Sequence, residues 1–219
     1  MTTGVMIDGP RVPPASGEVP RGIVILLHGY GSNGADLISL APIWRERLPG
    51  VLFVAPNAPE VCPGAPGGFQ WWGLSGAGSS SRADGARRAA PILDAFIDAE
   101  LAKAGLTEDR LALVGFSQGT MMALQVGPRR ARCLAGIIGF SGMLADEAAL
   151  ATEAMTRPPI LLVHGEADPM IPISAFYQTR DALKRYAFEV TSHVSAGLGH
   201  SIDGAGLNLG ADFLATALG

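Results

Sequence analysis

Only two cysteines occur in the chain, Cys62 and Cys133, far apart and without C-x-x-C spacing. That excludes a multi-disulfide framework. Of the two remaining readings, one bridge or two free thiols in a reducing compartment, the second is the expectation. The four histidines and two cysteines form no zinc-finger spacing, so neither a metal nor any other cofactor is expected. Charge is scarce: 16% of residues are charged, the formal net charge is −4, and acids and bases are interspersed without a basic cluster. This argues against nucleic acid and anionic membrane surfaces as partners. No apolar run approaches the roughly 20 residues that span a bilayer, so stable membrane insertion is not expected. The N-terminus, MTTGVMIDGPRVPPASGEVPRG, lacks the basic start and apolar core of a secretory signal. A cytoplasmic protein is the expectation.

What is present is apolar. With 48% hydrophobic residues in 219, the chain suits one domain over 1–219, with 1–21 as an N-terminal extension or edge segment. Short runs such as GIVILLHG (Gly22 to Gly29) read as strands buried on both faces. VLFVAP (Val51 to Pro56), RLALVGF (Arg110 to Phe116), LAGIIGF (Leu134 to Phe140) and PILLVHG (Pro159 to Gly165) read alike. FEVTSHV (Phe188 to Val194) alternates more and is expected nearer an edge. Helical patterns lie between them, roughly at Gly34 to Leu48, Ser81 to Ala104, Gln118 to Val126, Ser174 to Tyr186 and Gly204 to Leu218. Strands alternating with helices imply a mostly parallel sheet covered on both faces, an α/β fold. One stretch breaks the rhythm: Asn57 to Gly85 is a long Gly-, Pro- and Ser-rich loop that carries Trp71 and Trp72. Loops of that length in a compact domain are commonly functional.

Gly-Phe-Ser occurs twice at the end of an apolar run. Gly115-Phe116-Ser117-Gln118-Gly119 completes G-x-S-x-G, whereas Ser141 is followed by Gly142 and Met143. The pattern has a physical basis. A serine on a sharp strand-to-helix turn needs small residues on either side so that strand and helix can approach. With 29 glycines in the chain the bare pattern is weak evidence, but RLALV before it reads as a strand and TMMALQV after it as a helix. Ser117 is therefore the candidate nucleophile, its alternative being a helix-capping serine. Ser141 is expected to serve a turn or a cap.

A serine hydroxyl needs a base, and the base an orienting acid, in the chain order Ser, Asp or Glu, His. His200, in SAGLGHSID between the last strand and last helix, is preferred to His193, which lies within a strand pattern. Asp168, after PILLVHG, is preferred to its neighbour Glu166 and to Asp181 within a helix; its alternative role is a turn residue before Pro169. The oxyanion of acyl transfer also needs aimed donors. The backbone N–H of Gln118, after the nucleophile, is one candidate. That of Tyr30, between Gly29 and Gly31 in LLHGYGSNG, is the other. His28 and His164 are read as structural histidines supporting their loops.

LLHGYGSNGADL, APNAP, GFSQGTMMAL, LLVHGEADPMIP and GLGHSI together resemble the carboxylesterase and acyl-protein thioesterase (phospholipase/carboxylesterase) branch of the α/β-hydrolases, over about Ile23 to Leu218. The resemblance implies a single-domain α/β-hydrolase fold and a Ser117, Asp168, His200 triad. It also implies Tyr30 and Gln118 as oxyanion amides, and an aromatic near the site at Trp71-Trp72. The chain departs from many relatives in reading Gly119-Thr120 rather than Gly-Gly, and Trp71-Trp72-Gly73 rather than Trp-Phe-Asp. Substrate preference therefore does not carry over.

Larger lipases insert a helical cap, but the gap between LAGIIGF and PILLVHG has room for about one helix. No large cap domain is expected. An open, partly apolar groove suits small or short-to-medium acyl esters, or acyl chains presented on a partner. Trp71 and Trp72 are candidate substrate-binding residues or packing anchors for their loop. Met121 and Met122 are read as helix core. The expected function is ester cleavage through an acyl-enzyme on Ser117. Thioesterase or lysophospholipase action is the alternative, and a non-catalytic binding protein a third. A homodimer is left open.

Overall fold

The computed structural model of the protein describes residues 6–74 and 79–219. Seven strands form one sheet: β1 (Arg11–Val12), β2 (Gly22–Leu27), β3 (Val51–Val54), β6 (Leu111–Phe116), β7 (Gly136–Phe140), β8 (Ile160–Gly165) and β9 (Val190–Ser195). Their order across it is β1-β3-β2-β6-β7-β8-β9, with only the β1–β3 pair antiparallel. Two further short strands, β4 (Glu60–Val61) and β5 (Phe69–Gln70), pair as a separate ribbon.

The apolar runs are continuous because both faces of the sheet are covered. Ile23, Ile25 and Leu27 enter one core together with Leu93, Met122 and Phe176. Those partners come from α3 (Ser79–Ala104), α4 (Gln118–Val126) and α6 (Ile173–Arg185). The alternate residues Val24 and Leu26 enter a second core with Leu37, Trp44 and Leu214, from α1 (Gly34–Leu37), α2 (Ala41–Trp44) and α7 (Gly204–Leu218). Every residue of β2 is buried. Each such aliphatic side chain contributes about 1.5–3 kcal/mol relative to exposure, so a polar residue anywhere in this strand is strongly disfavoured. β9 lies at the sheet edge and is mostly half-buried, in keeping with its alternating sequence.

Three expectations need correction. The helical pattern from Gly34 to Leu48 is not one helix but α1, a 3-10 turn over Ile38–Leu40, and α2. Pro42 stands at the start of α2, where its missing N–H removes the hydrogen bond that a continuous helix needs. The 57–85 stretch is also more ordered than its composition suggests. It holds the β4–β5 ribbon, which is tied to the loop after β2 by a bridge between Ser32 and Phe69. The long helix begins at Ser79, and residues 75–78 of the expected loop lie outside the described residues. Between β7 and β8 the chain forms only α5 (Glu147–Glu153), so no cap domain covers the strand ends there. No described helix is long and apolar enough to cross a membrane.

Topology fixes where a site can form. The chain runs from β2 outward to β3, then returns to place β6 on the other side of β2. In open α/β sheets the crevice at such a reversal, at the carboxyl ends of the strands, receives ligands. The loop after β2 and the turn after β6 both emerge there, since Leu27 is in register with Gly115.

Candidate active site

Ser117 joins β6 directly to α4 with φ 54 and ψ −113, a left-handed conformation that a β-carbon makes costly. The flanking glycines make the turn possible. A Cβ on Gly115 would strike the backbone of Gly119 and Thr120, and one on Gly119 would strike the Leu27 carbonyl. The G-x-S-x-G spacing is thus a packing requirement. The Ser117 amide donates to the Phe140 carbonyl at 2.9 Å, and its side chain makes no capping bond to α4. The capping alternative therefore does not hold.

Ser141 also has a positive φ, 45°, at the end of β7. It is only 1% exposed, and its hydroxyl donates to the Ser201 carbonyl at 3.3 Å. It holds the β7 turn against the loop that carries His200.

His200 Nδ1–H donates to Asp168 Oδ2 at 2.6 Å. The Asp168 side chain is fully buried, and its Oδ1 accepts the Met170 and Ile171 amides at 2.8 and 2.9 Å. Burial alone would raise the carboxyl's pKa. The Ile171 amide, the His200 ring and the Met170 amide outweigh it and hold the pKa below the usual carboxylate value. The carboxylate thereby fixes the imidazole tautomer and leaves Nε2 as the free base.

The rejected alternatives are occupied elsewhere. Glu166 accepts the Gly197 amide at 3.1 Å, Asp181 pairs with Arg180, and His193 sits in β9 in register with Val163. His164 is buried behind the acid. Its Nε2 donates to the Ile171 carbonyl at 2.9 Å and lies 3.5 Å from Asp168 Oδ2.

Ser117 and His200 face one cavity of about 340 Å³. The ring of Phe116 packs 4.9 Å from that of His200, centroid to centroid. Gly29 presses on the nucleophile turn: a Cβ there would stand 3.2 Å from Ser117 Cβ. The Gly31 amide donates to Phe69 and the Ser32 amide to Gly29, while the Tyr30 amide between them has no acceptor among the described residues. The Gln118 amide is the first of its helix and has no partner within it. Tyr30 and Gln118 line the same cavity as Ser117.

His28 underpins this arrangement. Its Nδ1–H donates to the Gly29 carbonyl at 2.7 Å and its Nε2 accepts the Ala58 amide at 2.9 Å. Burial, opposed by the Gly29 carbonyl and Asp36, holds its pKa below the usual histidine value.

The two tryptophans divide their roles. Trp71 is 1% exposed, and its indole N–H donates to the His28 carbonyl at 3.0 Å. Trp72 lines the cavity, stacked where a side chain on Gly85 would collide with it. The Gln118 side chain clasps both residues, accepting the Trp71 amide and donating to the Trp72 carbonyl, each at 2.9 Å. Met121 and Met122 both belong to the core, as expected, and Met121 in addition lines the cavity. Met143, Met170, Asp36 and Arg82 complete the walls without having been singled out in the sequence. Each lies on a separate element, and no local pattern reports which of them converge. Among the described residues, no group of three His, Cys, Asp or Glu side chains is arranged to hold a metal.

A mostly parallel sheet with a strained serine at a strand-to-helix turn, and a His–Asp pair on later loops, defines an α/β-hydrolase. The chain belongs to the phospholipase/carboxylesterase family, whose model matches residues 12–218. It is 32% identical to acyl-protein thioesterase 1 of Neurospora crassa, covering 89% of this chain and 86% of the relative. It is 28% identical to esterase YpfH of Escherichia coli, over 88% of this chain and 81% of the relative. Among solved structures, esterase PE8 superposes with a TM-score of 0.93 at 41% identity, covering 98% of this chain and all of that one.

Proposed function

We propose that the protein is a carboxylesterase-type serine hydrolase that cleaves small to medium acyl esters through an acyl-enzyme on Ser117. Ser117 gives its hydroxyl proton to His200 Nε2 as its oxygen bonds to the acyl carbon. The resulting oxyanion is met by the Tyr30 and Gln118 amides. Collapse breaks the bond to the alcohol, which leaves with the proton from His200. Water, activated by the same base, then releases the acid and frees Ser117. The observation that carries this reading is the strained Ser117 turn facing one cavity with the Asp168-bound His200.

The cavity, about 340 Å³, is near the small end of ligand sites, which favours short acyl chains. A thioester is the second reading, prompted by the relatives named acyl-protein thioesterase. The two free cysteines, Cys62 and Cys133, are compatible with the reducing cytoplasm that we propose as its location.

The test is labelling by a fluorophosphonate probe, with the modified peptide located by mass spectrometry. It is followed by turnover of p-nitrophenyl esters and acyl thioesters of graded chain length. Modification at Ser117, abolished in Ser117→Ala, is expected. Absence of labelling together with absence of ester turnover would leave the binding-protein reading in its place.

A further inference from the structure

The walls of the cavity hold an arginine that enters no ion pair among the described residues. Arg82 lies in the first turn of α3 and lines the same cavity as Ser117 and His200. Of the other cations of this helix, Arg87 pairs with Asp146 at 2.6 Å and Lys103 with Glu100 at 2.7 Å, while Arg88 is exposed to solvent. Among the described residues Arg82 enters no ion pair, and its Nε is shielded from water without a hydrogen-bond partner. The acid on the same walls, Asp36, instead accepts the Ser32 hydroxyl at 2.6 Å.

A guanidinium cannot relieve this situation by losing its proton, because arginine stays charged at any physiological pH. A half-buried donor left without a partner is costly. The same cavity is lined by apolar side chains, among them Trp72, Leu74, Met121 and Met143, which strengthen a charge interaction made within it. The amide end of a 26-residue helix adds positive potential at the same place.

The planar fork of a guanidinium matches a carboxylate in two parallel hydrogen bonds. We propose that Arg82 recognises a carboxylate on the substrate, so that the enzyme acts on esters bearing a negative charge away from the scissile bond, such as half-esters of dicarboxylic acids. The inference rests on the ester-hydrolase reading above and narrows its substrate class. Arg82 is a specificity residue in it and takes no part in proton transfer.

Two substrate pairs test the proposal and locate the carboxylate. Monomethyl glutarate against methyl pentanoate places it on the acyl arm; carboxymethyl butyrate against ethyl butyrate places it on the alcohol arm. The readout is the ratio of kcat/KM for the anionic ester to that for its neutral partner, which cancels general losses of activity. In at least one pair Arg82→Met is expected to lower this ratio about ten- to hundredfold, chiefly through KM. That is the size expected of a charge-assisted pair. Arg82→Lys should retain part of the ratio, and Arg82→Glu should fall below the methionine variant.

A ratio unchanged within twofold in both pairs overturns the proposal while leaving ester hydrolysis standing. Failure of the wild type to turn over even the neutral esters overturns both. Should Arg82→Met not fold, inhibition of the wild type by glutarate against glutaramide decides the matter. Tenfold tighter inhibition by the dianion supports the carboxylate site, and equal inhibition overturns it.

Discussion

The side chain of Thr120 occupies the space that a Cβ on Gly139 would need: its Cγ2 stands 2.6 Å from that position. Its single hydroxyl proton is shared between the Gly115 carbonyl at 2.8 Å and the Phe140 carbonyl at 2.9 Å. Gly142 likewise has no room for a side chain beside Thr120. The second Gly-Phe-Ser of the sequence is therefore coupled to the first. The glycines of the β7 turn make room for the threonine that follows the nucleophile's glutamine. Gly142→Ala should destabilise the protein by about 1–3 kcal/mol through overpacking. Thr120→Gly in the same chain should recover part of that loss. A double-mutant cycle of thermal unfolding measures the coupling, and additive losses would disprove it.

The two serines with positive φ should behave differently. Ser117→Ala should lose roughly 10⁴-fold or more in turnover, as deletion of a triad nucleophile does. Ser141→Ala removes one buried hydrogen bond to Ser201, worth about 1 kcal/mol, and should keep turnover within a few-fold. Steady-state kinetics with a p-nitrophenyl ester separates them; exchange of the two outcomes would refute the assignment.

The tryptophans should also separate. Trp71→Ala removes a fully buried indole bound to His28 and should cost about 3–5 kcal/mol in unfolding free energy. Trp72→Phe keeps most of the packing but reshapes the cavity wall, so it should shift chain-length preference more than Trp71→Phe does. Melting temperatures and a graded ester series check the pair. Equal shifts in preference from both conservative variants would contradict the division of roles.

Asp168 makes a prediction about acid stability. Its carboxyl is held below the usual value in the folded protein, so the unfolded chain takes up the proton first as pH falls. The stabilisation from its carboxylate is complete above about pH 5. It is lost as pH falls through the ordinary aspartate value, about 3.9, toward the lower folded value. The stability difference between wild type and Asp168→Asn should shrink as pH falls below about 4. At neutral pH the same variant should lose about 10⁴-fold in turnover through the wrong imidazole tautomer. A stability difference that grows below about pH 4 would contradict the sign.

His28 should remain neutral well into mild acid. Burial depresses its pKa, so its ring resonances in NMR should titrate below the ordinary histidine value of about 6.5. The folding stability it contributes is present above that value and declines as pH falls through the depressed one. A titration at or above 6.5 would show that the ring is not kept from water in solution as it is here.

How much of this was legible in the sequence follows from how local the cause is. β2 and β6 were readable because burial on both faces forces an unbroken apolar run. Ser117, Asp168 and His200 were readable because chain order and strand ends restrict the choices to a few residues. The break at Pro42 was local too, but the apolar spacing on either side of it masked it. The β4–β5 ribbon was not readable, since two-residue strands leave no periodicity and their Gly- and Pro-rich surroundings read as loop. Arg82 was invisible for a different reason. An unpaired charge is defined by what the rest of the fold fails to bring near it.

Gln118 presents a backbone amide beside the nucleophile while its side chain grips the backbone of Trp71 and Trp72. Nucleophile turn and aromatic wall are therefore one mechanical unit, and this side of the cavity is a fixed mould rather than a door. Remodelling the wall there would disturb the turn that carries the chemistry. Met143 and Met170 also line the cavity, with unbranched side chains from other loops. New acyl shapes are most cheaply accommodated by repacking these two flexible side chains, without changing the backbone that carries them.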